Sequence, residues 1–444
     1  MKIKEFINLI CEEIKYKPIR NDIYNELQSH IEESKEDYIK EGLEEDIAEE
    51  KAIQQMGEAK EIGERLDKIH SSKLDWKLIL IIITLLGFGI LVSFIKTCNT
   101  DRGVNYIIKN IGFVGIGFIL GIFIYKIDYK KVSKYSNIIY IFTTIIFIVT
   151  TFTFNPTING KIHLRIFNIT TAIENILVPL YIISFVGFIY NYNKDRKVVF
   201  FNININIDFI KILFLSFISI FVMTLIPSKI SAIILTTIYI ELITIAIIKK
   251  SKNKVKNLSI LYGITIIILV ISIIHSFPFR IERLTSTFNP EKYESSGGWI
   301  PMQQRQILKS SKLIGEADNL SSSLELFDQG NDYALISIIA HYGWLPAIAI
   351  LTVLSLLTIK IVLNAKKIKE DYGKYLIIGI GNLFILKSII NILMNLTVGI
   401  QLSSNLPFIS YSGSSLILDI MCIGIILSIY RKKDMILKSE LDLL

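Results

Sequence analysis

The sequence is poor in cysteine and in charge. Cys11, Cys98 and Cys422 are the only thiols in 444 residues. They lie far apart and show no metal-ligand spacing, so neither a structural disulfide nor a cysteine-bound metal is expected. Charged side chains make up 20% of the chain, below the roughly 25% typical of soluble domains. Met1–His70 contains no apolar run long enough to form the core of a secretory leader. These scarcities argue against a secreted disulfide scaffold and against a soluble enzyme.

Apolar sequence is abundant instead. It makes up 51% of the residues, which excludes a disordered chain, and it arrives in runs such as Trp76–Ile95 and Asp208–Pro227. A helix needs about 20 such residues to cross roughly 30 Å of hydrocarbon. Ten runs qualify, near 76–95, 106–125, 137–154, 171–190, 208–226, 230–248, 258–277, 333–359, 375–398 and 413–430. The expected fold is therefore an all-α polytopic membrane protein with ten transmembrane helices over residues 73–440, preceded by a small cytoplasmic helical domain, residues 1–72.

Basic residues set the expected orientation. With the N-terminal domain inside, the inner loops and the C-terminal tail collect 21 Lys and Arg, whereas the short outer loops hold five: Lys96, Arg102, Lys161, Arg165 and Lys229. Cytoplasmic loops carry such an excess, so both termini are expected in the cytoplasm. One outer connection, residues 278–331 between spans seven and eight, runs to about 54 residues. Loops of that length are usually functional or disordered, and Trp299, the aromatics and the mixed charge of this one point to partial structure.

The N-terminal domain has its own character. Residues 1–70 hold 11 Lys/Arg against 19 Asp/Glu, and the rest of the chain 37 against 21. An acidic head on a basic membrane body argues against nucleic-acid binding. Ile3, Phe6, Ile7 and Ile10 recur at helical spacing up to Pro18; Ile19, Ile23, Leu27 and Ile31 form an i, i+4 stripe ending near Gly42. Two more helices are expected over Asp46–Met56 and Ala59–Ile69. His30 and His70 stand alone, and no catalytic group is apparent here. The run "QQMGEAKEIGERL" resembles the helical prefix domain (HAAS-type) of some bacterial permease-type membrane proteins, which implies an interaction or signalling module with a cytoplasmic partner.

Ionisable groups within spans cost a few kcal/mol and by default mark function. Here they are Glu174, Glu241, His341, Lys387 and Asp419, with Asp332 where span eight meets the outer surface. Lys387, Asn391 and Asn395 form an i, i+4, i+8 polar stripe on span nine. Glu241 and Asp419 read as helix-to-helix glue, Glu174 and Asp332 as functional.

Three stretches resemble the SEDS family, the FtsW/RodA/SpoVE group of cell-wall glycosyltransferases. Leu406–Leu416, "LPFISYSGSSL", is close to that family's "LPFISYGGSSL". The long outer loop opens "RIERLTSTFNPE" (Arg280–Glu291), continues through Gln303 and "KLIG" (Lys312–Gly315), and ends "NDYALISIIAHYG" (Asn331–Gly343). Asn159–Glu174, "NGKIHLRIFNITTAIE", is similar to the family's third motif. The likeness runs in order through residues 76–435.

The resemblance implies a peptidoglycan glycosyltransferase that polymerises lipid II at the outer face of a bacterial plasma membrane. Such chemistry needs a base for the acceptor hydroxyl and positive charge for the leaving pyrophosphate. Asp332 matches the family's essential aspartate and is the expected base, with a divalent cation, Mg2+ or Mn2+, as a candidate helper and no metal ligands assigned. Arg280, Arg283, Lys292, Arg305, Lys309 and Lys312 are candidates for the pyrophosphate, Arg283 matching best. Gln303, Glu174, Lys387, Ser410, Ser414 and Ser415 complete the expected substrate site. The expected partner is a class B penicillin-binding protein transpeptidase.

The departures from the pattern are specific. The family's tryptophan falls near Ile162, the lysine after the glutamate is Leu177, a glutamate pair is Ala340-His341, and a double glycine is Ser311-Lys312. Lys387 is the expected substitute partner for Glu174. Two other readings of the chain stay open at this point. One is a catalytically silent relative that binds lipid II or a partner; the other is a transporter of lipid-linked precursors with Glu241, Lys387 and Asp419 along its path.

Overall fold

The computed structural model describes residues 2–15, 20–69, 74–98, 103–153, 157–158, 161–166, 169–192, 197–200, 203–226, 229–250, 285–318, 327–328, 331–399, 401–410 and 413–433. The chain divides into two compact units, Met1–Asp75 with Ile429–Leu444, and Trp76–Ser428.

The N-terminal unit holds four helices, α1 (Ile3–Glu13), α2 (Arg20–Lys40), α3 (Glu45–Met56) and α4 (Ala59–Ile69). Their apolar faces close on one core of Phe6, Ile7, Ile10, Ile14, Ile23, Leu27, Ile31, Ala52, Ile53, Ile62 and Leu66. Turns at Gly42 and Gly57 use φ of +96° and +94°, the left-handed conformation that ends helices at glycine. Outside the core, Lys35 pairs with Glu45 and Glu49. The Glu45 and Glu49 carboxylates hold Lys35 above its ordinary range, and Lys35 holds Glu45 below its own.

In the second unit, nine helices among the described residues are long and apolar enough to cross a membrane. They lie in α5 (Trp76–Cys98), α6 (Gly103–Lys126), α7 (Ser136–Phe152, extended by the turn from Tyr129), α8 (Ile173–Tyr190), α9 (Ile207–Leu225), α10 (Ile230–Lys250), α13 (Trp344–Lys367), α14 (Asp371–Asn395) and α15 (Gly413–Arg431). Two shorter helices, α11 (Trp299–Ser310) and α12 (Ala334–Tyr342), fall between α10 and α13. The seventh expected span, 258–277, lies outside the described residues. α8 is the hub: it packs against α7, α9, α10 and α14. Phe185 stacks on Tyr239 at 3.7 Å, and Tyr140 meets Tyr181 edge-on at 5.4 Å.

Two features depart from the sequence reading. The eighth span, expected as one helix over 333–359, is broken. α12 ends at Gly343, whose φ of +88° and close approach to the Leu313 carbonyl (2.7 Å from an added Cβ) admit only glycine. The candidate span begins at Trp344. The loop residues tie into this break, Trp344 N–H donating to the Lys312 carbonyl and Leu345 N–H to that of Leu313, both at 3.0 Å.

The chain is also not wholly helical. β1 (Thr157–Ile158), β2 (Lys161–Ile166) and β3 (Ile169–Ala172) form an antiparallel sheet between α7 and α8, with His163 opposite Ala172 and Ile166 opposite Ile169. β4 (Lys197–Phe200) and β5 (Ile203–Asn206) pair between α8 and α9. Backbone that is not in a helix must find partners elsewhere, and the hairpins supply them.

Candidate functional site

The site is assembled where β2, the entry to α12, the middle of α14 and the loop before α15 converge. Asn331–Tyr333 forms a single 3-10 turn ahead of α12. Asp332 sits in that turn, 8% exposed. Its backbone carbonyl accepts from Asn391 Nδ2 at 2.8 Å and Asn395 Nδ2 at 3.0 Å. The Asn395 oxygen in turn accepts from the Ile336 amide at 3.2 Å. Asn395 therefore bridges the two groups, Asp332 C=O and Ile336 N–H, that an i, i+4 helical bond would join, and fixes how the turn enters the helix. Asn391 also donates to the Ser404 carbonyl, and Ser404 Oγ to the Lys387 carbonyl at 3.3 Å. The polar stripe of α14 is thus a clamp on two loops.

Both carboxylate oxygens of Asp332 are engaged. Lys161 Nζ lies 3.3 Å from Oδ1, with both side chains largely buried, and Ser403 Oγ donates to Oδ2. Lys161 also reaches Asn405 Oδ1 at 3.5 Å. Burying an ion pair takes both charges out of water, and such a pair is weak evidence for stability. Next to it, Nδ1 of His163 lies 3.0 Å from the Lys161 carbonyl. Burial holds His163 below its ordinary range, so it is uncharged at neutral pH.

Glu174 opens α8, directly after the hairpin that carries Lys161. It is 5% exposed, and its Oε2 is buried with no hydrogen-bond partner among the described residues. Lys161, Lys387 and Asp332 are all within electrostatic range of it. Lys387, expected as the partner of Glu174, instead lies 3.9 Å from Asp419, with both side chains buried. The ion pair of Lys387 is thus with Asp419 on α15, and Glu174 has the lysine within electrostatic range only.

The remaining expected residues divide. Ser410 is buried, and its Oγ accepts from the Leu406 amide at 2.8 Å, closing the Leu406–Ser410 turn in which Phe408 takes φ +64°. Ser415 is buried and Ser414 half-buried at the start of α15. Arg305, on α11, donates to the Thr287 and Phe288 carbonyls, and Lys312 pairs with Asp318, so both staple the stretch 285–318. Gln303 is half-buried on α11, while its neighbour Gln304 is fully buried and accepts from Gln401 at 2.9 Å. Arg280 and Arg283 lie outside the described residues. His341 Nε2 lies 2.9 Å from Asp328 Oδ2, joining α12 to the connection that precedes it.

Sequence reasoning missed Lys161, Ser403 and Asn405. In the sequence Lys161 reads only as a charge in a short connection, although it lies inside the "NGKIHL" stretch that carries a resemblance. A divalent cation would need several oxygen ligands. Among the described residues no three His, Cys, Asp or Glu side chains converge, and the Asp332 carboxylate already holds Lys161 and Ser403. The described residues do not fit such an ion, and no step is routed through one.

Comparison with known proteins places this geometry in context. The sequence model of the FtsW/RodA/SpoVE cell cycle proteins matches residues 75–435. A probable peptidoglycan glycosyltransferase FtsW from Thioalkalivibrio sp. is 26% identical over 160 residues, covering 35% of this chain and 40% of the relative. Stage V sporulation protein E of Bacillus subtilis is 27% identical over 165 residues, covering 36% and 44%. The matched stretches thus span about two fifths of these curated relatives. A chain from a study of the coordination of polymerisation and crosslinking by a peptidoglycan synthase complex superposes with TM-score 0.63 at 14% identity, covering 81% of this chain and 98% of that one. The rod shape determining protein RodA of Thermus thermophilus gives TM-score 0.56 at 12% identity, covering 81% and 97%.

Proposed function

The chain belongs to the FtsW/RodA/SpoVE family of cell cycle proteins, and on that premise we propose that it is a peptidoglycan glycosyltransferase that polymerises lipid II at the outer face of the plasma membrane. One observation carries the reading. The acid in the "NDY" turn is oriented through its own carbonyl by Asn391 and Asn395, the kind of support a positioned base requires.

In this reading the acceptor's sugar 4-hydroxyl gives its proton to the Asp332 carboxylate as its oxygen bonds to C1 of the donor. The C1–oxygen bond to undecaprenyl pyrophosphate breaks, and that group leaves with the electron pair. Arg280 and Arg283 are the cations assigned to the pyrophosphate, since Arg305 and Lys312 already staple the loop. Ten spans with both termini in the cytoplasm put the turn on the side where the lipid II head group lies.

A class B penicillin-binding protein is the proposed partner, in keeping with the synthase complex among the structural neighbours. Residues 1–72 are proposed to bind a cytoplasmic partner. A second reading, a silent relative that binds lipid II, is favoured by the engagement of both Asp332 oxygens. Polymerisation of labelled lipid II by the purified protein, with and without a transpeptidase, separates the two. Glycan strands from wild type and none from Asp332→Ala support the enzyme; lipid II binding without strands in either supports the silent relative.

A further inference from the structure

A base held by a lysine on one oxygen and a serine on the other is a weaker proton acceptor until one of them lets go. The surroundings of Asp332 contain a place for that lysine to go. Lys161 is the shared cation of two acids: it contacts Asp332 Oδ1 at 3.3 Å and lies within electrostatic range of Glu174. Glu174 Oε2 is buried without a partner among the described residues, although a buried polar atom left unpaired costs about 1–3 kcal/mol. The other buried cation, Lys387, is held by Asp419. Among the described residues, Asp419 is thus compensated by Lys387, and Glu174 and Asp332 share Lys161, whose position decides which of the two it compensates.

We propose that Lys161 is a switching cation, paired with Asp332 in the resting protein and moving to Glu174 when Asp332 becomes protonated or is engaged by the acceptor sugar. The inference rests on the function proposed above and assigns a positioning role to both residues. In the resting state Lys161 occupies the carboxylate. As the acceptor hydroxyl binds, the ammonium shifts to Oε2 of Glu174, freeing Oδ1. The proton then passes from the hydroxyl to Asp332 as the glycosidic bond forms, and the neutral acid no longer holds the lysine. Loss of that proton to solvent restores the resting pair. Lys161 keeps its three protons throughout, so the switch moves charge without being an acid or base itself.

The fold suits the motion. Lys161 stands on β2, and the same hairpin runs through β3 into α8 and Glu174. The lysine and the acid it moves to are thus carried by one continuous piece of chain, while Asp332 comes from the turn ahead of α12. A four-carbon stem with a compact ammonium can make this change, and Asn405 at 3.5 Å offers a neutral acceptor beside the resting position.

Two measurements on the full chain test this. The first is an experimental structure of Asp332→Asn, which imitates the protonated acid without removing the side chain. Lys161 Nζ is expected within 4 Å of Glu174 Oε2; a lysine still on residue 332 or turned to solvent overturns the switch. This arm decides the inference even if the wild type makes no glycan strands, an outcome that would sink only the proposed function.

The second is the pH profile of lipid II polymerisation. Among the described residues, the charged or titratable groups that face Asp332 are Lys161 and His163 from the hairpin and Glu174 from α8, and Glu174 in turn faces Lys387 from α14, which is tied to Asp419 of α15. Lys161→Met is expected to lower kcat at least tenfold and move the acid limb to higher pH, Glu174→Gln to move it to lower pH, and Lys161→Arg to leave it in place. Equal losses at every pH would mean a merely structural role and contradict the inference.

Discussion

Asn395 of α14 and Asp332 of the preceding turn are joined at 3.0 Å, amide to backbone carbonyl, across 63 residues of sequence. The bond ties the candidate base to the longest membrane helix described, and the same carboxamide holds the Ile336 amide. Asn395→Leu would remove both bonds. The Asp332 carbonyl keeps its bond from Asn391, whereas the Ile336 amide is orphaned, at a cost of about 1–3 kcal/mol. The expected result is a lower thermal midpoint in detergent together with a loss of polymerising activity of tenfold or more. Unchanged stability and activity would remove the clamp from the account.

Lys387 and Asp419 give a second test. Removing one member of a buried pair strands a charge, at about 3–5 kcal/mol, whereas replacing both with apolar residues is often neutral. Lys387→Met and Asp419→Leu should each destabilise the protein, and the double variant should recover most of the loss in a thermal-shift cycle. Exchanging the charges of Glu174 and Lys387 should rescue neither single variant, because Lys387 belongs to Asp419.

Gly343→Ala probes the break between α12 and α13. The added methyl carbon would lie 2.7 Å from the Leu313 carbonyl at a backbone φ of +88°. Strain of this kind costs roughly 1–3 kcal/mol. The variant is expected to melt earlier, and proteolysis within 312–318 should accelerate as the bonds from Trp344 and Leu345 loosen.

The acidic N-terminal unit should fold around its apolar centre. Leu27→Ala empties a fully buried position, and such truncations cost about 2–5 kcal/mol. In the full chain this should open residues 2–69 to protease while leaving cleavage elsewhere unchanged. Protection equal to wild type would show that Leu27 does not carry that core.

What the sequence made legible follows from the range of each signal. Nine spans could be read because each is a continuous apolar run, a local property that hydropathy reports directly. The four N-terminal helices were legible for a similar reason, since Ile23, Leu27 and Ile31 declare one face. The break at Gly343 was hidden because "ALISIIAHYGWL" is apolar on both sides, and a membrane helix tolerates glycine. The pairing of β2 with β3 depends on register more than on hydropathy.

The site was half legible. Asp332 and Glu174 announced themselves as costly acids, and the stripe of Lys387, Asn391 and Asn395 showed as helical spacing. Lys161 did not, because its partner is 171 residues away. No spacing rule connects a charge in a short outer loop to an acid that far along the chain. Nor does spacing reveal that Lys387 pairs with Asp419 as well as facing Glu174.

The central claim is that Asp332 is the base of a lipid II polymerase. Its most direct test is strand formation from labelled lipid II by the purified full chain beside Asp332→Asn, which keeps the shape of the side chain and removes its basicity. The account predicts glycan strands from the wild type and at least a hundredfold fewer from the variant, with lipid II binding retained by both. Equal strand formation by the two proteins would contradict it.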